Sequence, residues 1–256
     1  MFREEYDNMV KAGVSKIGLL EKNPLGYFVM SVVAGAFIGV GVMLMSTVGA
    51  YGAGTSYVKL AMGMVFSVAL SLVVMAGAEL FTGNNMVLFG AALDGKVSWS
   101  KLAKLWVVCF IGNWIGSIII AALFVGTGLT NEVVGQFMVN ASAAKMAVPF
   151  GPLVCRGMLC NFLVCLAVWC GFRCKNEVAK LIMIFWCITA FVSCGFEHSI
   201  ANMTMLTVGM MKASAFGVAG VTIGGYFYNI LVVALGNVIA GTLMVALPYF
   251  VASREK

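Results

Sequence analysis

Two apolar stretches of this 256-residue chain, residues 58–93 and 178–211, are too long for one straight membrane span, and a polar knot interrupts each. The first knot reads Glu79-Leu80-Phe81-Thr82-Gly83-Asn84-Asn85-Met86, and the second Glu197-His198-Ser199-Ile200-Ala201-Asn202-Met203. Each contains a Glu, an Asn five positions later, and then a Met. Polar groups in the middle of a span are costly in hydrocarbon and mark a path for something polar. Interrupted hydrophobic segments at matching places in two halves point to a site near the bilayer midplane.

Composition sets the solvent. Charged residues are 10% of the chain and hydrophobic ones 62%, with a mean hydropathy of +1.01. A soluble domain carries about 25% charged residues, so the expected class is an all-α integral membrane protein. A span needs about 20 apolar residues. Six stretches qualify: 24–50, 58–93, 101–128, 147–172, 178–211 and 224–251. The second and fifth hold the knots, where each helix is expected to unwind and restart against protein or a cavity. Residues 1–23 lack the apolar core of a signal peptide. Phe2, Tyr6, Met9, Val10, Gly13, Ile17 and Leu20 share one helical face there, which predicts an amphipathic helix at the cytoplasmic interface. Gating is the sharper alternative for that helix. The six-span unit then covers residues 24–252, in halves of about 24–128 and 147–252.

The net charge of +6 does not imply nucleic acid, because its distribution follows a membrane pattern. One side carries Arg3, Lys11, Lys16, Lys22, Lys96, Lys101, Lys104, Arg173, Lys175, Lys180, Arg254 and Lys256, and the other only Lys59, Lys145 and Lys212. That asymmetry places both termini in the cytoplasm with an even number of spans. Eight Cys lie mostly in apolar stretches, and four recur at every fifth residue, winding around a helix without converging. Buried, reduced thiols are expected, with no metal site and no cofactor. The halves also repeat outside the knots. Gly112-Asn113 matches Gly236-Asn237, and Pro24-Leu25 matches Pro152-Leu153. Three spans per half force the halves to point in opposite directions, an inverted repeat. Gly35 and Gly39, with Gly112 and Gly116, permit close helix packing.

His198 is the single histidine, and it lies in the second knot. It reads either as a neutral ring capping a broken helix or as a donor or proton source facing a pore. Thr82 offers a hydroxyl that could reach it across the pseudo-two-fold, or could simply cap its own helix. Glu79 and Glu197 are read as structural acceptors for backbone N–H groups at the breaks, helped by Asn84 and Asn202. A proton-relay pair is the rival reading. Lys145 could draw anions inward or snorkel, and Asn161 could donate to a passing solute or bridge helices. Phe66, Leu70, Leu80, Phe81, Val164 and Phe191 flank the knots, where apolar side chains can constrict a pore.

Four segments resemble the formate/nitrite transporter family: Asn23-Pro24-Leu25-Gly26, Ala78-Glu79-Leu80-Phe81-Thr82-Gly83-Asn84, Asn161 to Trp169, and Gly195 to Met203. The first two are somewhat closer to the nitrite-channel branch. The resemblance implies an aquaporin-like protomer of six helices, a homopentamer in the cell inner membrane, and one pore per protomer. It implies Thr82 and His198 as the central pair, with Lys145 and Asn161 as the electropositive and amide positions. Phe66, Val164 and Phe191 would form the outer constriction, and Leu70, Leu80 and Ala201 the inner one. The expected cargo is a small monovalent anion of a weak acid, nitrite or formate. Either His198 gives the anion a proton, or the field of Lys145 and hydrogen bonds offset its dehydration. A hydrosulfide-type channel is an alternative. So is a neutral-solute pore, although the knots lack the Asn-Pro-Ala triplets of water channels. No cofactor motif or nucleophile–base pair suggests an enzyme.

Overall fold

The computed structural model describes residues 2–254, so Lys256, counted above among the cytoplasmic charges, lies outside the described residues. All regular structure among the described residues is helical. In chain order the helices are α1 (Arg3–Lys22), α2 (Pro24–Tyr51), α3 (Val58–Leu72), α4 (Phe81–Leu93), α5 (Trp99–Gly126) and α6 (Val133–Met146). There follow α7 (Phe150–Arg173), α8 (Glu177–Ser193), α9 (Ser199–Phe216), α10 (Ile223–Ile239) and α11 (Leu247–Ser253). Wider π-helical turns extend α3 over Val73–Gly77 and join α10 to α11 over Ala240–Ala246. Pro248, at the start of α11, has no N–H to continue the α register.

Five helical stretches are long and apolar enough to cross a membrane: Pro24–Tyr51, Val58–Gly77, Trp99–Gly126, Phe150–Arg173 and Ile223–Ser253. The apolar run at 178–211 is divided between α8, of 17 residues, and α9, of 18 residues. The chain is a multi-pass membrane protein.

The two knots have the same backbone design. Each upstream helix closes on an i to i−5 hydrogen bond, Ala78 to Val73 in one and Phe196 to Phe191 in the other. A glycine at positive φ precedes each Glu: Gly77 at 80° and Gly195 at 77°. An L side chain is disfavoured in that region, which explains glycine at both places. The Glu79 N–H then donates to the Met30 carbonyl and the Glu197 N–H to the Arg156 carbonyl, each at 3.2 Å. These bonds tie each knot to the first span of its half. They set Met30 opposite Arg156, so Pro24 faces Phe150 in the repeat and the predicted Pro24–Pro152 register is corrected by two residues.

Close helix approach follows the glycines. A Cβ at Gly35 would strike the Asn113 backbone, one at Gly116 the Val32 carbonyl, and one at Gly236 the Val154 carbonyl. Helix α1 does present the predicted face: Tyr6, Met9, Val10, Gly13, Ile17 and Leu20 are buried. That face packs on protein, however. The Tyr6 hydroxyl donates to the Gly90 carbonyl at 2.8 Å, and Gly13 abuts Ala91 and the Val87 backbone of α4. Burial and the nearby Asp94 carboxylate raise the Tyr6 phenol above its ordinary range, so it stays a neutral donor.

Candidate functional site

Two asparagines hold the breaks. The Phe81 N–H donates to Asn113 Oδ1 at 2.9 Å, and Asn113 Nδ2 donates to the carbonyls of Ser31 at 2.7 Å and Glu79 at 2.9 Å. The second knot repeats this set. The Ser199 N–H donates to Asn237 Oδ1 at 3.0 Å, and Asn237 Nδ2 reaches the carbonyls of Gly157 at 2.8 Å and Glu197 at 3.2 Å. Both amides are fully buried. An unpaired backbone group at this depth has no water to turn to, so each amide supplies what the interrupted helix lacks. Sequence reasoning saw these residues only as repeat markers. The available signal was a matched Asn in an otherwise apolar span.

The carboxylates do something else than predicted. Glu79 accepts from Lys16 Nζ at 2.7 and 2.8 Å and from Asn84 Nδ2 at 3.0 Å. Glu197 Oε2 accepts from Lys145 Nζ at 2.6 Å and Asn202 Nδ2 at 2.6 Å. Among the described residues neither carboxylate receives a backbone N–H. The expectation of backbone capping by Glu79 and Glu197 is therefore corrected: each glutamate neutralises a lysine brought by a short helix, α1 or α6. Lys16 is the counterpart of Lys145 and was not singled out. Lys145 is not an isolated positive centre, because its partner cancels most of its field at a distance.

Two cavities approach the knots from opposite ends of α3. One, of about 340 Å³, is lined by Lys59 and Phe66 and reaches Lys145, Glu197, His198 and Ala201. The other, of about 440 Å³, is lined by Leu70 and Gly77 and reaches Lys16, Glu79 and Leu80. Phe66 and Phe191 meet edge-on at 5.9 Å between ring centres, and Phe191 lies parallel to the His198 ring at 6.1 Å. Ala201 belongs to this first cavity. Leu70 and Leu80, expected to form the inner constriction with it, line the second cavity. Val164 is buried and lines neither cavity, while Val168, one turn along α7, lines the second.

Between the cavities, His198 Nε2 lies 3.1 Å from Thr82 Oγ1, as predicted. His198 also caps α9, its Nδ1 accepting the Ala201 N–H at 3.2 Å. An Nδ1 that accepts leaves the hydrogen on Nε2, so the hydrogen-bond pattern assigns the ring as a neutral Nε2–H donor toward Thr82. The two readings of His198, cap and donor, are thus one arrangement. Asn161 takes the second of its two readings, an amide contact between helices. Its Nδ2 is spent on the Asn237 carbonyl at 2.6 Å, Asn85 Oδ1 at 3.2 Å and the Thr82 carbonyl at 3.3 Å. It bridges the two halves and has no N–H left for a solute; its free atom is the acceptor Oδ1.

Several membrane-crossing helices around two cavities, the first of which reaches a buried imidazole hydrogen-bonded to Thr82, are the features of a membrane channel or transporter. The family model for the formate/nitrite transporter matches residues 3–251. The chain is 38% identical to the nitrite transporter NirC of Escherichia coli strain K12, across 96% of this chain and 91% of that protein. Its structure superposes on an FNT family ion channel with TM-score 0.91 and 35% identity, covering 98% and 99% of the two chains. It also superposes on a pentameric formate channel with formate bound at TM-score 0.81 and 29% identity, covering 91% and 98%. The chain belongs to the formate/nitrite transporter family.

Proposed function

We infer that this protein passes a small monovalent anion of a weak acid, nitrite or formate, through one pore per protomer. In this reading α3 with α4, and α8 with α9, are each one interrupted span. The chain then has six spans in a 3+3 inverted repeat, an aquaporin-like plan, and assembles as a homopentamer. The lysine asymmetry supports both termini in the cytoplasm, with α1 as a cytoplasmic helix, and the family favours the inner membrane. The similarity to NirC favours nitrite, and the similarity to a pentameric formate channel keeps formate beside it.

The Thr82–His198 contact between the cavities carries the reading. A bare anion crossing Phe66 and Phe191, then Leu70 and Leu80, would lose water at a cost of several kcal/mol. Lys16 and Lys145, the lysines beside the knots, are paired with carboxylates, so little net positive charge offsets that cost there, while Lys59 lines the first cavity with no ion pair among the described residues. A neutral acid crosses more cheaply. His198 donates its Nε2–H to the solute as the solute displaces Thr82. Because Nδ1 is occupied by the Ala201 N–H, the ring is poorly placed to replace a proton it gave away. The neutral acid therefore forms with a proton from hydronium in the vestibule, releasing water. Uptake of nitrite, formate and hydrosulfide into vesicles holding the purified protein, measured from pH 5 to 8, tests this. Uptake should rise as pH falls and persist, more slowly, in His198→Asn. Loss of all pH dependence in that variant would return the proton-source role to His198. Glycerol swelling without anion uptake would turn the reading to a neutral-solute channel.

A further inference from the structure

A third hollow, of about 240 Å³, opens away from both cavities, between the second half of α1 and the loop joining α4 to α5. Buried Ile17 and Val97 and exposed Val14 are its apolar lining. Lys96, Lys101, Ser98 and Glu21 form its rim. Gly18 keeps one wall open, since a Cβ there would meet nothing within 4 Å. Lys101 pairs with Glu21 at 2.8 Å, but both side chains are about half exposed, at 52% and 51%. Such a pair is weak and exchangeable. Among the described residues Lys96 and Lys104 make no ion pair. Asp94, two residues before Lys96, is the other acid nearby.

The surroundings name the occupant. Helix α5 is a membrane-crossing helix that starts at Trp99, and Trp99 is 55% exposed. Exposed tryptophan at such a start sits at headgroup level. From Lys104 an exposed apolar stripe, Val107, Ile111, Ile115 and Ile118, runs up α5 at helical spacing. Positive charge at the interface with an apolar track leading into the hydrocarbon matches an anionic headgroup carrying acyl chains. Basic pockets between helices at a membrane face hold such headgroups. We propose that this hollow binds the headgroup of an anionic phospholipid. The phosphate engages Lys96 and Lys101, Lys101 leaves Glu21, and the acyl chain lies along α5. The lipid then bridges α1 to the foot of α5.

Full-length protein in neutral detergent, titrated with phosphatidylglycerol and followed by native mass spectrometry, tests the site. Wild type should retain the lipid, and Lys96→Gln with Lys101→Gln should weaken retention on the order of tenfold. The control Lys175→Gln with Lys180→Gln should leave it unchanged. Glu21→Gln should strengthen retention severalfold by freeing Lys101, a gain that no folding defect can produce. Phosphatidylcholine should not substitute. Equal weakening in the control pair, or no response to Glu21→Gln, overturns the proposal. Competition by glycerol phosphate as effective as the lipid would make the site one for a soluble phosphate. A change in oligomeric state without a change in lipid retention would make it a contact between copies. Either result also overturns it.

Discussion

The two knots share a frame and differ in chemistry at the residue that precedes each restarting helix. Asn113 and Asn237 hold the same three kinds of backbone group, and Lys16–Glu79–Asn84 has its counterpart in Lys145–Glu197–Asn202. The residue before the restarting helix is Leu80 in one half and His198 in the other. Leu80 has no capping side chain, whereas His198 accepts from Ala201. A duplicated frame keeps non-helical backbone satisfied at membrane depth. With that need met twice over, one position was free to diverge toward chemistry. The surroundings of the acids differ too. The Glu197 side chain is 4% exposed and Glu79 is 12% exposed. Asn202 leans on Asn229, whereas Asn84 leans on the Tyr27 hydroxyl.

The largest effect is expected from removing a lysine. Lys145→Met strands a nearly buried carboxylate, at a cost of about 3 kcal/mol or more. Lys16→Met should cost less, because Glu79 is better hydrated. Thermal unfolding in detergent measures both, and adding Glu197→Gln to Lys145→Met should restore most of the loss. Equal losses at the two lysines would mean that burial does not separate the clusters. Next come Asn113→Leu and Asn237→Leu. Each orphans a buried N–H at a helix restart, for about 2 kcal/mol. The two values should agree within about 1 kcal/mol. A wide gap would break the symmetry of the frame.

How much of this was legible depended on whether a residue's type alone restricts its partner. The knots were readable because Glu, Asn and His stand out in apolar sequence, and a lone hydroxyl beside a lone imidazole leaves few pairings. Lys16 was not, because a lysine in a charged amphipathic segment has a ready solvent-exposed explanation. Its position shortly before the start of α2, like that of Lys145 before the start of α7, was the signal to follow. Asn161 kept two readings in the sequence for a different reason. Type and depth mark an amide as bonded, but only geometry shows that its N–H groups are spent on Asn237, Asn85 and Thr82. The cavity that Ala201 lines was not legible, because a small residue on a restarting helix faces whichever cavity its first turn faces, and the sequence carries no sign of that rotation.

Smaller effects probe the one asymmetric position. His198→Asn keeps a side-chain cap, so stability should change by less than about 0.5 kcal/mol, while His198→Leu copies Leu80 and loses about 1 kcal/mol. Both should slow anion flux, because both remove the Nε2–H donor. A fast His198→Leu pore would make the two knots functionally equal. The smallest effect is expected at Thr82. Thr82→Val deletes one buried hydroxyl and should cost about 1 kcal/mol or less, with Thr82→Ser close to wild type. Its value lies in a double-mutant cycle with His198→Asn, read in both stability and flux. If the hydroxyl and the imidazole act as one unit, the second substitution adds little to the first, and the coupling is at least about 0.5 kcal/mol. Simple additivity would leave Thr82 with no role beyond its own helix, and His198 would then carry the asymmetry alone.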